Sequence, residues 1–163
     1  RLKNFQKENL IKVVSYPSKY NQQITSNKSY CLTQKGKDFV AQKYNITRCQ
    51  SSHAAEHNCK VAELICNLNK SEISTVQSEW ETRDQIQELL DNMRTEGDYD
   101  QYDYYMDLLN QGKISTPDIV YVSSTTQELV CCEVVTNNYK DADIEAKEVA
   151  SEILETKIDY VNI

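Results

Sequence analysis

The chain has 163 residues, 39% of them hydrophobic, with three Gly, two Pro and a formal net charge of −7. That length is one domain of ordinary size, or one domain with a fragment, and enough to bury a core. No apolar stretch approaches the roughly 18 residues that cross a bilayer, so a spanning helix is excluded, and no cationic-then-apolar signal peptide is visible. The start at Arg1 rather than Met suggests a piece of something longer.

The average charge conceals a division. Residues 1–50 hold ten Lys and Arg against Glu8 and Asp38, a net of +8, whereas the other 113 hold eight basic and 23 acidic residues, a net of −15. A basic segment joined to an acidic body points to a polyanion-binding face, nucleic acid first, beside a surface that repels polyanions. The alternative is a basic tail with no partner. Residues 4–14 read as a short basic helix. Polar residues from Tyr16 to Thr33 follow, with strand-like ends and a turn near Ser26 and Asn27. The run Tyr30-Cys31-Leu32-Thr33-Gln34-Lys35-Gly36-Lys37 reads as a strand passing through a Thr N-cap into a helix from Asp38 to Tyr44. This helix, hairpin and return strand resemble the last part of a winged helix. The resemblance implies duplex binding through Lys3, Lys7, Lys12, Lys19, Lys28, Lys35 and Lys37, with earlier helices upstream of Arg1.

Six Cys, at 31, 49, 59, 66, 131 and 132, form no CxxC pair. Cys49, His53, His57 and Cys59 make a tempting metal cluster. On a helix over 52–68, however, His53, His57, Val61, Leu64 and Leu68 share one stripe, while Cys59 and Cys66 lie opposite. One metal does not easily gather both sets. The thiols are therefore read as reduced residues of a cytoplasmic protein. The two His read as core or capping residues before catalytic ones.

Beyond a polar linker at 45–51 the pattern becomes α/β. A helix at 52–68 precedes a strand at 72–80, then helices at 82–94 and 100–111 about Gly97. Strands at 118–122 and 129–136 flank a turn at 123–128, and a helix at 141–155 leads to a strand at 158–162. Without the two inserted helices the order is α-β-β-β-α-β. Tyr99, Tyr102, Tyr104 and Tyr105 interleave with four Asp, a poor environment for phosphate and a better packing or partner surface.

Glu133 sits within Leu129-Val130-Cys131-Cys132-Glu133-Val134-Val135, apolar on both parities and thus a central strand covered on both faces. A carboxylate there must be protonated, paired or bound to metal. With the turn centred between Thr125 and Thr126, Asp118 falls opposite Glu133, Cβ atoms roughly 4.5–5.5 Å apart. Opposed like charges repel, and a divalent cation converts the repulsion into a site. The alternative is an Asp in solvent and a Glu paired with Lys or Arg.

Pro117-Asp118 with Glu133 fifteen positions further on, within α-β-β-β-α-β, resembles the PD-(D/E)xK phosphodiesterase core, the restriction-endonuclease-like fold. The winged-helix end, His-bearing helix, Ser78-Glu79-Trp80, residues 117–122 (PDIVYV) and 131–136 (CCEVVT) resemble the replication-relaxation group and the MOB-C type of conjugative relaxase. The resemblance implies a winged-helix remnant over 1–45 and a nuclease-like domain over 52–163. It also implies nicking of double-stranded DNA at an origin-like site, with Mg²⁺ or Mn²⁺ on Asp118 and Glu133, alongside other transfer proteins. The pattern places Lys two residues after the Glu, where this chain has Val135. Lys147 on the following helix is the candidate replacement. Its alternative role is an i, i+4 pair with Asp143, which leaves open an inactive DNA-binding descendant. His53, His57, Glu63, Glu79 and Glu81 are further candidates for the site. The acidic body also leaves room for a protein-interaction domain.

Overall fold

The computed structural model describes residues 1–20, 23–44 and 54–163. The chain divides into two compact units, Arg1–Cys59 and Lys60–Ile163. It is a mixed α+β protein with two small sheets.

The first unit begins with α1 (Leu2–Lys7), then β1 (Ile11–Tyr20), β2 (Gln23–Leu32) and α2 (Gln34–Tyr44). The helix expected over 4–14 therefore stops at Lys7. Asn9 takes φ 56°, a left-handed conformation that Asn tolerates and a helix does not, and the β-branched Ile11, Val13 and Val14 continue as strand. β1 and β2 pair antiparallel from Ile11 opposite Leu32 to Tyr20 opposite Gln23. Ser26 and Asn27 lie inside β2, opposite Pro17 and Tyr16, and not in a turn. Long pairing of the strands outweighs the turn preference of those two residues. Thr33 is the N-cap expected of it: its hydroxyl accepts from the Gly36 N–H at 3.1 Å, and α2 starts four residues earlier than Asp38. Thr33 and Lys35 tie α2 to the residues that follow α1, with Thr33 N–H donating to Leu10 O at 3.0 Å and Lys35 Nζ donating to Glu8 O at 2.9 Å.

In the second unit α3 (Ala55–Asn67), whose first residues belong to the first unit, precedes α4 (Lys70–Ile73), α5 (Glu79–Glu96) and α6 (Tyr99–Asn110). β3 (Ile119–Val122), β4 (Leu129–Val135), α7 (Asp141–Ile153) and β5 (Ile158–Asn162) follow. Gly97, at φ 89°, ends α5 in the left-handed region and allows α6 to start two residues later. The strand expected at 72–80 is absent. Asn69 and Ser78 each cap a helix, with Glu72 and Glu81 three residues on returning the bond to the cap's own N–H. Two capping boxes outcompete the strand preference of Ile73 and Val76. What remains of that strand is one bridge, Gln77 N–H to Val120 O at 2.8 Å. The neighbouring groups of β3 are held similarly, Val122 N–H by Thr75 Oγ1 (3.0 Å) and Ser124 N–H by Glu72 Oε1 (3.0 Å).

The sheet order is β3-β4-β5, antiparallel between β3 and β4 and parallel between β4 and β5, with α7 as the crossover. β4 is the central strand, as its continuous apolar run requires. Val120 faces Cys131, which faces Ile158, and these register partners pack with Ile86 and Leu90 of α5, Tyr105 of α6 and Ala150 and Ile153 of α7. One layer of helices thus covers this face of the sheet.

Candidate active site

β3 and β4 pair in the register read from the turn, Ile119 opposite Cys132 and Val122 opposite Leu129. Asp118, one residue before β3, therefore comes to Glu133. Glu133 lies two residues beyond Cys131 and so on the same helix-covered face. It is 0% exposed.

Each acid binds the other strand's backbone. Asp118 N–H donates to Glu133 Oε2 at 2.9 Å, and Val134 N–H donates to Asp118 Oδ2 at 2.9 Å. These reciprocal bonds replace the ladder where β3 begins, and they fix both carboxylates. Lys147, on the second turn of α7, completes the arrangement: its Nζ is 2.9 Å from Glu133 Oε1, donates to Thr116 O at 2.6 Å, and its side chain is 12% exposed. The i, i+4 pairing with Asp143 does not form. Asp143 instead accepts from the Lys140 N–H at 2.9 Å at the start of the helix.

Tyr139 is the residue that sequence reasoning missed. It ends a turn in which its N–H donates to Thr136 O at 3.0 Å, and its hydroxyl donates to Glu133 Oε1 at 2.5 Å. Only the requirement that a buried Glu find donors hinted at such a partner. Burial raises the Glu133 carboxyl above the ordinary range and the Asp118 charge adds to this, while Lys147 and the Tyr139 hydroxyl oppose it. Burial and the hydrogen bond to Glu133 push the Tyr139 phenol up, so it stays a donor. Burial pushes the Cys131 thiol, on Glu133's face, up to about 12 and the Cys132 thiol, on the opposite face, up to about 11, which keeps both protonated.

The remaining candidates are placed elsewhere or engaged. His53 lies outside the described residues. His57 is half-buried on α3, within the first unit. Glu63 pairs with Lys60 at 3.3 Å, Glu79 with Arg83 at 3.6 Å, and Glu81 serves the α5 capping box. Among the described residues no third His, Cys, Asp or Glu joins the acid pair in a group able to hold metal. Two hard carboxylates held side by side suit Mg²⁺ or Mn²⁺ in kind, since Mg²⁺ commonly binds through one or two carboxylates and keeps several waters.

The basic residues do not gather on one surface of the hairpin. Lys12 stands opposite Cys31 and Lys28 opposite Ser15, and these two pairs fall on opposite faces of the two-stranded sheet. Lys19 lies on β1, Lys3 and Lys7 are four apart on α1, and Lys35 and Lys37 occupy the first turns of α2. No helix among the described residues is long and apolar enough to cross a membrane. Comparison with protein-family models, with curated proteins and with solved structures gives no match.

Proposed function

We propose that the second unit is a metal-dependent DNA phosphodiesterase of the PD-(D/E)xK kind, nicking duplex DNA as a relaxase or endonuclease of a mobile element, and that the first unit is a winged-helix remnant that binds the duplex. The observation that carries this reading is the Lys147–Glu133 pair at 2.9 Å, beside an Asp118 locked to the same strand. The Lys that the motif lacks at position 135 is supplied from α7, from a position where its charge is buried and aimed at the acids. Asp118 and Glu133 would hold Mg²⁺ or Mn²⁺, which when bound polarises a phosphoryl oxygen and acidifies a water. Lys147 orients that water or offsets charge growing on the phosphoryl oxygens. Thr116 O holds the ammonium in place between turnovers.

A second reading has its own support. Both oxygens of Glu133 already accept hydrogen bonds from protein groups, which suits a nuclease fold that has lost its chemistry and binds DNA as an accessory protein. Supercoiled plasmid separates the two. With Mg²⁺ or Mn²⁺ the wild type should nick it, and Asp118→Ala or Glu133→Gln should each lower the rate at least roughly hundredfold with DNA affinity unchanged. Saturating cation should also raise the melting temperature of the wild type by mass action and of neither variant. Absence of nicking alongside intact DNA binding would favour the accessory protein.

DNA binding by the first unit is tested through salt. If Lys3 and Lys7 each neutralise a phosphate, Lys3→Ala/Lys7→Ala should weaken binding across sequences and flatten the log–log salt dependence by about 2. An unchanged slope would move the contacts away from α1.

A further inference from the structure

We propose that Tyr139 is a displaceable cap on Glu133, holding Oε1 in the metal-free protein and leaving it when a divalent cation binds that oxygen. The inference rests on the cation reading of the acid pair. Glu133 Oε2 is held by the Asp118 backbone N–H, and Oε1 is shared by Lys147 and the Tyr139 hydroxyl. Oε1 carries two donors, one for each of its lone pairs, so a cation can take that oxygen only if Lys147 or Tyr139 yields, whereas Oε2 keeps one lone pair open.

The three are not equally free to do so. The Asp118 N–H is main chain at the start of β3 and cannot leave without opening the hairpin. Lys147 is anchored a second time, through Thr116 O at 2.6 Å, and is carried by α7, whose Ala146, Ala150 and Ile153 are buried. Tyr139 belongs to the turn between β4 and α7, is half-buried, and its hydroxyl makes this single hydrogen bond among the described residues. A change of side-chain rotamer releases it into solvent with no backbone bond broken. As a neutral donor it also leaves the charge balance of Glu133 and Lys147 untouched while the cation is absent. Tyr139 is therefore a positioning residue: it keeps the buried carboxylate satisfied in the metal-free protein, at the cost of competing with the metal.

The test is Mn²⁺ binding by calorimetry to the full chain, wild type against Tyr139→Phe. Phe keeps the ring and removes the hydroxyl, so the cation no longer displaces a donor, and affinity should rise about tenfold or more, the scale of a hydrogen bond to a charged acceptor. Unchanged or weaker binding by the Phe variant, with the wild type binding normally, would overturn the cap and leave the cation site standing. Binding to neither protein would remove the cation site and the cap with it. Should the variant fold poorly, the wild type alone answers. Adding Mg²⁺ should produce a near-ultraviolet tyrosine difference spectrum as one phenol exchanges a carboxylate for water, and a cation that binds with no such signal overturns the cap.

Discussion

Replacing Lys147 by Met should destabilise the second unit by roughly 3–5 kcal/mol at neutral pH, the cost of leaving a buried charge without its partner. Glu133 is 0% exposed, so no water takes over from the ammonium, although Tyr139 and the Asp118 N–H still donate to it. The sign of the pH dependence distinguishes charge from packing. Glu133 has a folded pKa raised above its unfolded value, so its contribution is fully present below the unfolded pKa and lost as pH rises through the folded one. Removing Lys147 deletes the largest influence lowering that pKa and extends the loss to higher pH. Urea midpoints should therefore separate wild type and Lys147→Met widely at pH 8, and the gap should narrow as pH falls and the carboxyl takes up a proton. Adding Glu133→Gln should restore most of the loss. A gap that does not change with pH would assign the effect to the lost methylene packing.

Gly36→Ala is the corresponding test of the first unit, and its expected cost is about 3 kcal/mol or more. A Cβ at position 36 would lie 2.0 Å from the Leu10 carbonyl oxygen and 3.0 Å from its carbon. Both are backbone atoms, and that carbonyl already accepts the Thr33 N–H, so the start of α2 must move off the α1–β1 junction. Helix preference alone predicts the opposite sign, since Ala within a helix is favoured over Gly by roughly 0.5–1 kcal/mol. Thermal unfolding followed by circular dichroism decides between them. A variant as stable as the wild type would mean that the close approach is absent in solution.

Much of the second unit was legible because local signals and pairing agreed. The β3–β4 register followed from a turn centred at Thr125 and Thr126, β5 from its apolar residues after α7, and the break at Gly97 from a residue suited to the left-handed region. The failures arose where two signals competed. At 72–80 β-branched residues suggested a strand, yet Asn69 with Glu72 and Ser78 with Glu81 had the spacing of capping boxes, and those prevailed. At 4–14 the apolar spacing suited a helix, but a single Asn9 in the left-handed region ended it. The acid pair and Lys147 could be read from burial and the helical wheel. Tyr139 could not, because the return of a turn residue's side chain to a strand six residues earlier leaves no periodic trace along the chain.

The segment from Glu72 to Gln77 does more than connect two helices. By occupying the outward-facing groups at Val120, Val122 and Ser124, it seals the margin of β3 and leaves β5 as the sheet's other margin. Strand addition to this sheet, whether by a misfolded neighbour or during aggregation, is thereby confined to its β5 margin, where Asp159 and Asn162 are exposed among apolar residues. The three-stranded sheet is thus a template with a single growing end, and the acid pair lies nearer the sealed one.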